Sequence, residues 1–428
     1  MELKPGYKET DVGDIPEDWE VIPLGKGLSG RPGYGINAPA VPYSDRLPAY
    51  IRITDITEDG RYDPSNPVSV KSADSEKYFL EDGDIVFART GASVGKSYKY
   101  RPCDGRLVFA GFLIRVHPDS INLYAPYVAA YITTGPYWRW VQLMSMRSGQ
   151  PGINGNEYAM LPIPKPPITE QRAIATALSE VESLLDSLNR LIAKKRDLKQ
   201  AAMQQLLTGK TRLPGFADEW ELKRLGDHVT FLRNGVNSRA ELTLDDPVKY
   251  LHYGDIHSCT SVMLDPASLP SLPSCKAKTL ERLRDGDLVF ADASEDLVGV
   301  SKSVEISNLG DAELVAGLHT IAARFDKAVL ADGFKAYLQF CPAFSSHLRR
   351  LAAGTKVYAT NRSHIASVEM RLPGIKEQEA IAAAFNDMDA EIAALEQRRN
   401  KTKDIKQAMM QELLTGKTRL VTPGGSNV

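Results

Sequence analysis

The sequence lacks the features that mark several classes of protein. Its four cysteines, Cys103, Cys259, Cys275 and Cys341, lie far apart and form no Cys-x-x-Cys pair, which excludes a disulfide framework and the usual zinc spacings. No apolar run approaches the roughly 18 residues that a membrane span needs, and the N-terminal stretch contains no apolar secretory segment. We therefore expect a reducing, cytoplasmic location.

An excess of charge is also absent. Lys and Arg total 52 and Asp and Glu total 54, which gives a formal net charge of −2. This balance excludes a generally basic nucleic-acid coat but leaves room for a local basic face. The 428 residues are 43% hydrophobic and 25% charged, and this length predicts about three domains of ordinary globular composition.

Catalytic motifs are missing or incomplete. The segment Gly91-Ala-Ser-Val-Gly95-Lys96 resembles a phosphate-binding loop, but it has three residues between its glycines where that motif has four. His252, His257 and Cys259 lack a fourth ligand at zinc spacing, so we expect no metal site. No nucleophile elbow or zinc-protease motif is present. The sequence favours a protein without a catalytic site of its own.

The sequence is internally duplicated. Residues 169–213 align without a gap to residues 376–420, with 22 identities in 45 positions, and both copies end in Leu-Leu-Thr-Gly-Lys-Thr-Arg-Leu. Shorter matching segments precede each copy. They include Trp19-Glu20 with Trp220-Glu221, and the Asp-Gly-Asp segments that end at Ala88 and Ala291. A duplication of this kind predicts two copies of one fold.

The strong repeats have the spacing of coiled-coil helices. Apolar residues step by four and three, which predicts a seam that packs against a partner helix. The candidate seam residues are Ile174, Leu178, Val181, Leu185 and Leu188 in the first helix and Ile381, Phe385, Met388, Ile392 and Leu395 in the second. Packing of each helix on its own domain is the alternative.

The regions between the helices contain short β-rich runs broken by Gly, Pro, Asp and Asn. Runs such as 107–116 and 314–325 are read as strands. We predict an α+β fold with globular domains at 1–168 and 214–375, long helices at 169–213 and 376–421, and a flexible tail at 422–428.

Polar groups suited to DNA cluster before each helix. Arg can bind guanine, Asn and Gln can bind adenine, and Lys suits phosphates. The candidates there are Arg139, Arg147, Gln150, Asn154 and Asn156 in the first half and Arg349, Arg350, Lys356, Asn361 and Arg362 in the second. The alternative is that these charges form a solvated face.

The whole pattern resembles the specificity subunit of type I restriction–modification systems. Two divergent domains alternate with two near-identical helices, each opening with Glu-Gln and closing with Leu-Leu-Thr-Gly-Lys, and the loop from Arg89 to Lys96 also fits. In the second half, Asp292-Ala-Ser-Glu-Asp-Leu stands where the first has Arg89-Thr-Gly-Ala-Ser. If this loop touches DNA, with Arg89 and Lys96 as contacts, the two halves use it differently.

The resemblance implies a mechanism. Each domain would be a target recognition domain that reads one half of a bipartite, asymmetric site on double-stranded DNA. The helices would pair as an antiparallel coiled coil that sets the spacer and docks two methyltransferase subunits. Two restriction (translocase) subunits would complete the complex. S-adenosylmethionine, ATP and magnesium would bind those partners, with none bound by this chain, and the assembled complex would methylate adenine N6 and cut DNA.

Two other interpretations remain. One is a coiled-coil scaffold that binds other proteins rather than DNA bases, and it predicts behaviour with DNA that is insensitive to salt. The other is an NTP-dependent enzyme built on Gly91–Ser97, which full function of a Lys96→Ala variant would remove.

Overall fold

The computed structural model describes residues 5–146, 150–297, 299–352, 354 and 356–421. The expected flexible tail at 422–428 lies outside them. The chain divides into two compact units, Met1–Asn189 with Gln397–Val428, and Arg190–Glu396. Each unit therefore contains one globular domain and a segment of each long helix. In the part of the chain that the structure describes, no helix is long and apolar enough to cross a membrane.

The first unit contains a mixed α+β domain. Its strands are β1 (Tyr7–Lys8), β2 (Ile15–Pro16), β3 (Glu20–Pro23), β4 (Gly33–Tyr34), β5 (Ala40–Pro42), β6 (Ala49–Ile51), β7 (Val68–Val70), β8 (Ile85–Ala88), β9 (Ser97–Lys99), β10 (Leu107–Phe109), β11 (Leu113–Val116) and β12 (Pro162–Lys165). Its helices are α1 (Ala125–Tyr131), α2 (Gly135–Ser145), α3 (Gly155–Ala159) and the start of α4 (Ile168–Leu206). Two four-stranded sheets have the orders β4-β11-β8-β9 and β10-β6-β7-β5, and β3 pairs with β12.

The second unit repeats this plan. Its strands are β13 (Glu221–Arg224), β14 (Val229–Phe231), β15 (Val248–Leu251), β16 (Met263–Leu264), β17 (Ser271–Leu272), β18 (Leu288–Ala291), β19 (Ala293–Ser294), β20 (Ser303–Ile306), β21 (Glu313–Ala316), β22 (Thr320–Phe325), β23 (Tyr358–Ala359) and β24 (Glu369–Leu372). Its helices are α5 (Tyr253–Ser258), α6 (Ser274–Ala277), α7 (Pro342–Leu351), α8 (Arg362–Ala366) and the start of α9 (Ile375–Leu413). The sheets β14-β22-β18-β20-β16 and β17-β15-β21 correspond to the two large sheets of the first unit, and β13–β24 corresponds to β3–β12.

The central strand of each domain is buried on both faces. In β8, Ile85 and Phe87 join the core that faces the helices, whereas Val86 and Ala88 join a core between the sheets. Successive side chains of a strand point to opposite faces, so this four-residue apolar run fills two cores at once. The β18 strand does the same with Leu288 and Phe290 on one side and Val289 and Ala291 on the other.

Two of the β-rich runs are each divided between two sheets. Residues 107–116 form β10 and β11, and residues 314–325 contain most of β21 and all of β22. The chain passes from one sheet to the other at Gly111 and Gly317. A Cβ on Gly317 would lie 2.6 Å from the carbonyl oxygen of Leu251, so glycine permits this close approach.

The two long helices are paired in each unit, which confirms the predicted fold class. In the first unit the beginning of α4 lies beside the end of α9, with Leu178 and Leu413 in one core cluster. In the second unit the end of α4 lies beside the beginning of α9, with Leu206 and Phe385 in one cluster. The segments therefore run antiparallel in both units. Each helix has 39 residues, which corresponds to about 58 Å at 1.5 Å per residue.

Candidate nucleic-acid interface

The central strand of each domain leads into the same hydrogen-bonded corner. After β8, the backbone N–H of Arg89 donates to the carbonyl of Phe112 over 3.1 Å. After β18, the N–H of Asp292 donates to the carbonyl of His319, also over 3.1 Å. The two corners are thus equivalent in backbone geometry, yet one presents a cation and the other an anion.

The segment before each long helix closes this corner. The N–H groups of Ile153 and Thr360 donate to the carbonyl oxygens of Arg89 and Asp292 over 2.9 and 2.8 Å. The next residue in each case, Asn154 or Asn361, begins a short helix, α3 or α8. The loop segments that the sequence marked as candidates therefore meet the end of the central strand.

The guanidinium of Arg89 lies close to two aromatic rings. Its guanidinium carbon is 5.1 Å from the ring centroid of Tyr34 and 5.9 Å from that of Phe112, and these rings are 44% and 57% exposed. Its buried Nε atom has no hydrogen-bond partner among the described residues. The side chain borders an open cavity of about 770 Å³, which Asn37 and Arg52 also line.

The second corner contains a carboxylate and histidines around a tyrosine. The Nδ1 atom of His319 is 3.1 Å from Asp292 Oδ1. The ring of Tyr253 packs against His319, His252 and His257, with centroids 5.4, 4.5 and 6.1 Å away. Burial lowers the pKa of His252 below its ordinary value, which favours the neutral ring. Among the described residues, no group of three or more His, Cys, Asp or Glu side chains is arranged to hold a metal ion.

Several candidates of the first domain lie near this corner, but some have structural partners. Gln150 is exposed beside Gly91, and Asn156 is exposed on α3. The side-chain oxygen of Asn154 accepts from the N–H of Glu157 at 3.0 Å and so caps α3. DNA contact by these residues stays a prediction.

The remaining candidates of the first domain are separate from the corner loop or already paired. Lys96 forms an ion pair with Glu58. Arg139 is exposed on α2 and lines a different cavity, with Tyr131 and Met410 among its other walls. Arg147 lies outside the described residues.

The candidates of the second domain divide in a similar way. Arg362 donates to the carbonyl of Leu232 at 2.7 Å, and Asn361 accepts from the N–H of His364 at 3.0 Å to cap α8. All five candidates are exposed, and the other three are Lys356 and, at the end of α7, Arg349 and Arg350. For all five residues, DNA contact stays a prediction.

Each Glu-Gln pair anchors the start of a long helix in its domain. The carboxylate of Glu170, whose side chain is 1% exposed, accepts from Trp19 Nε1 at 3.2 Å and from Arg419. Arg419 also binds Asp18, and its hydrogen bonds hold the pKa of Asp18 below its ordinary value. The next residue, Gln171, accepts from the N–H of Tyr124 at 2.8 Å.

The second unit contains the matching anchor. Glu377 accepts from Trp220 Nε1 at 3.2 Å and forms an ion pair with Arg212. Gln378 accepts from the N–H of Ala331 at 2.9 Å. Each closing Thr-Gly-Lys-Thr-Arg motif therefore supplies the arginine that pairs with the glutamate opening the other helix. The residues that the two repeats share at their ends therefore form equivalent contacts in the two units.

The candidate seam residues have two kinds of surroundings. At the start of each helix they join the domain cores, as Ile174 and Leu178 do in the first unit and Ile381 and Phe385 do in the second. Further along, the buried or half-buried candidates are Val181, Leu185, Leu188, Met388, Ile392 and Leu395. In the second unit, ion pairs also join the two long helices, and Lys199 of α4 binds Asp389 of α9 at 2.5 Å.

A charged cluster ties the first domain to both helices within its unit. Arg61 donates to Glu182 and Asp186 of α4, and Lys406 of α9 also binds Glu182. Burial raises the pKa of Glu182, but the hydrogen bonds from Lys406 and Arg61 outweigh it and leave the pKa below its ordinary value. Glu182 therefore stays ionised.

Sequence reasoning missed the aromatic and histidine members of the two corners. Tyr34, Phe112, Tyr253 and His319 are distant from the candidate loops in sequence and have no motif of their own. The only available signal was the difference between Arg89 and Asp292 at equivalent positions of the repeat. Their neighbours could be identified only after the strands were paired.

Comparisons with known proteins find similar sequences that cover nearly the full length of this chain. The chain is 23% identical over 440 residues to a putative type I restriction enzyme MjaX specificity subunit of Methanocaldococcus jannaschii, covering 97% of both chains. It is 24% identical over 417 residues to the EcoKI specificity subunit of Escherichia coli, covering 91% of this chain and 86% of that one. No protein-family model matches the sequence.

Solved structures share the fold. The S subunit of a type I restriction–modification system from M. genitalium has a TM-score of 0.58 at 11% identity, covering 96% of this chain and 98% of that one. A chain from a type I restriction–modification assembly has a TM-score of 0.55 at 16% identity, covering 94% and 99%. At such identities these likenesses establish the two-domain architecture with its long helices.

Proposed function

Since the chain belongs to the family of type I restriction enzyme specificity subunits, we propose that each globular domain reads one half of a bipartite DNA site. The equivalent corners that follow β8 and β18 carry this proposal. They share backbone hydrogen bonds but present Arg89 in one domain and Asp292 in the other. Groups of different hydrogen-bonding character on one scaffold suit two different half-sites, and hence an asymmetric target.

The paired helices set the distance between the half-sites and dock the methyltransferase subunits. The reciprocal ion pairs of Arg419 with Glu170 and of Arg212 with Glu377 support this part of the proposal. Within each unit they join the end of one long helix to the start of the other and to the domain beside them. A fixed number of unread base pairs then separates the two half-sites.

The chain contributes recognition, and its partners contribute the chemistry. Two methyltransferase subunits would bind S-adenosylmethionine and modify adenine N6, and two restriction subunits would use ATP and magnesium. A target adenine has to leave the base stack before it is methylated. Because the chain has a net charge of −2, its partners would also supply part of the phosphate contact. A cytoplasmic location is part of this proposal.

Comparison of adenine methylation between two strains tests the proposal. One strain carries this chain with its neighbouring methyltransferase, and the other carries the methyltransferase alone. We expect a bipartite motif with a fixed spacer that is methylated only when the chain is present. Exchange of residues 1–168 for those of a relative should change one half-site and leave the other.

Two results would contradict the proposal. A complex that assembles with the methyltransferase but leaves no chain-dependent mark would remove the recognition role. A chain that binds partner proteins, and binds DNA without sequence preference at every salt concentration tested, would be the coiled-coil scaffold instead.

A further inference from the structure

We propose that the residue following the central strand of each domain reads a base in its half-site. Arg89 would bind the O6 and N7 atoms of guanine, and Asp292 would accept from the N4 amino group of cytosine. This inference rests on the proposed function and assigns the base-reading atoms within it. Both half-sites would then contain one G·C pair that is read from this corner.

The guanidinium of Arg89 is positioned by its neighbours and has a hydrogen-bond donor without a partner among the described residues. This guanidinium contacts the Tyr34 and Phe112 rings, and cation–π contacts of this kind hold a guanidinium in place without using its N–H donors. No described residue accepts a hydrogen bond from Arg89 Nε. Since a buried donor without a partner is unfavourable, a ligand that brings an acceptor to this guanidinium gains affinity.

An open cavity lies beside Arg89. Its volume is about 770 Å³, and Arg89, Tyr34 and Phe112 are all in its wall. The two ring contacts use none of the guanidinium N–H groups. A bidentate pair with guanine uses two of these groups along one edge of the planar fork.

The second corner has the opposite polarity and an unusual backbone. His319 has a φ of 55°, in the left-handed region, where a non-glycine residue needs surrounding contacts to hold it. Those contacts place its ring 3.1 Å from Asp292 and edge-on to Tyr253. The Asp292 side chain is 30% exposed, so its neighbours partly enclose it and it still reaches solvent.

The difference in charge favours base reading over phosphate binding. A residue that contacts a DNA phosphate has to be a cation or a neutral donor. A carboxylate at the same position would repel the phosphate. A carboxylate can accept from a cytosine amino group, whereas an arginine suits guanine. Opposite charges at equivalent positions are therefore expected where the two domains specify bases.

The test uses the complex of the full chain with its methyltransferase subunits. For Arg89→Gln we expect the methylated motif to lose its guanine preference at one position of one half-site. We also expect affinity for the parent site to fall about 10- to 100-fold, as for loss of one bidentate contact. Asp292→Asn should alter one position of the other half-site alone.

Arg89→Lys distinguishes base reading from phosphate binding. Lysine keeps the charge but loses the planar fork, so a base contact would relax at that position while a phosphate contact would largely survive. The matched control is Arg106→Gln, because Arg106 also lies over a ring, 4.1 Å from the Phe79 centroid, outside the corner. It should leave the motif unchanged.

The outcomes separate this inference from the proposed function. If the unmodified complex marks a bipartite motif and Arg89→Gln keeps both motif and affinity, Arg89 does not read a base. A uniform loss of affinity for all sequences, with a weaker salt dependence, would make it a phosphate contact. If the unmodified complex marks no motif, the proposed function fails first. Co-purification with the methyltransferase and an unchanged melting temperature verify that each variant folds.

Discussion

Removal of the Arg419 side chain should destabilise the first unit by leaving a buried charge unpaired. Glu170 has 1% of its side chain exposed, and its other hydrogen-bond donor is Trp19. Breaking a buried ion pair on one side costs about 3–5 kcal/mol. Since Arg419 itself is 22% exposed and water can enter, we expect about 2–4 kcal/mol for Arg419→Ala. Its second ion pair, with the more exposed Asp18, adds little.

The assay is urea unfolding of the full chain labelled with 5-fluorotryptophan and followed by ¹⁹F NMR. The chain has four tryptophans; Trp19 reports the first anchor and Trp220 the second. Arg419→Ala should lower the midpoint for the Trp19 signal and leave that for Trp220 nearly unchanged. Arg212→Ala, the matched variant of the other unit, should give the reverse.

A double variant tests the physical cause. Glu170→Gln in the Arg419→Ala background removes the buried charge and keeps an acceptor for Trp19, so it should recover part of the lost stability. If Arg419→Ala costs less than about 0.5 kcal/mol, the range of an ordinary surface change, the buried-charge argument is wrong. It is also wrong if the second substitution adds a full independent loss instead of restoring stability.

Three further predictions concern single positions. Glu182 has its pKa lowered by its cations, so its ionised form stabilises the fold above the unfolded pKa of about 4.3, and this contribution is lost as the pH falls. Glu182→Gln should therefore reduce the free energy of unfolding by about 0.5–1 kcal/mol at pH 7 and hardly at pH 3; an equal loss at both pH values would contradict the ion-pair role. Asn361→Ala should cost about 1 kcal/mol in urea unfolding through loss of the α8 cap, and a neutral result would show that the cap contributes nothing. Gly416→Ala should lower the melting temperature more than Gly105→Ala. Both residues have positive φ, but only at Gly416 would a Cβ meet another residue, at 2.4 Å from a proline ring carbon. Equal shifts in melting temperature would mean that backbone strain accounts for the whole effect.

The sequence predicted the structure well where a single repeating pattern corresponds to a single helix. The gapless repeat and the four-three spacing predicted both long helices, because their apolar stripes follow the helical period. The sequence did not predict that Arg89 and Asp292 would meet the loops before each long helix. The runs 107–116 and 314–325 show why, since each crosses between two sheets at a glycine while its composition stays that of a strand.

The duplication, the paired helices and the resemblance to specificity subunits could all be recognised in the sequence, because they depend on local periodicity and on residues repeated at a constant offset. The contacts between distant residues became visible only in the folded chain. Folding placed Tyr34 and Phe112 beside Arg89 and set His319 against Asp292. It also paired Arg419 with Glu170, which are 249 positions apart in the chain. Such contacts depend on strand pairing and chain reversal, which bring distant residues together and leave no spacing in the sequence.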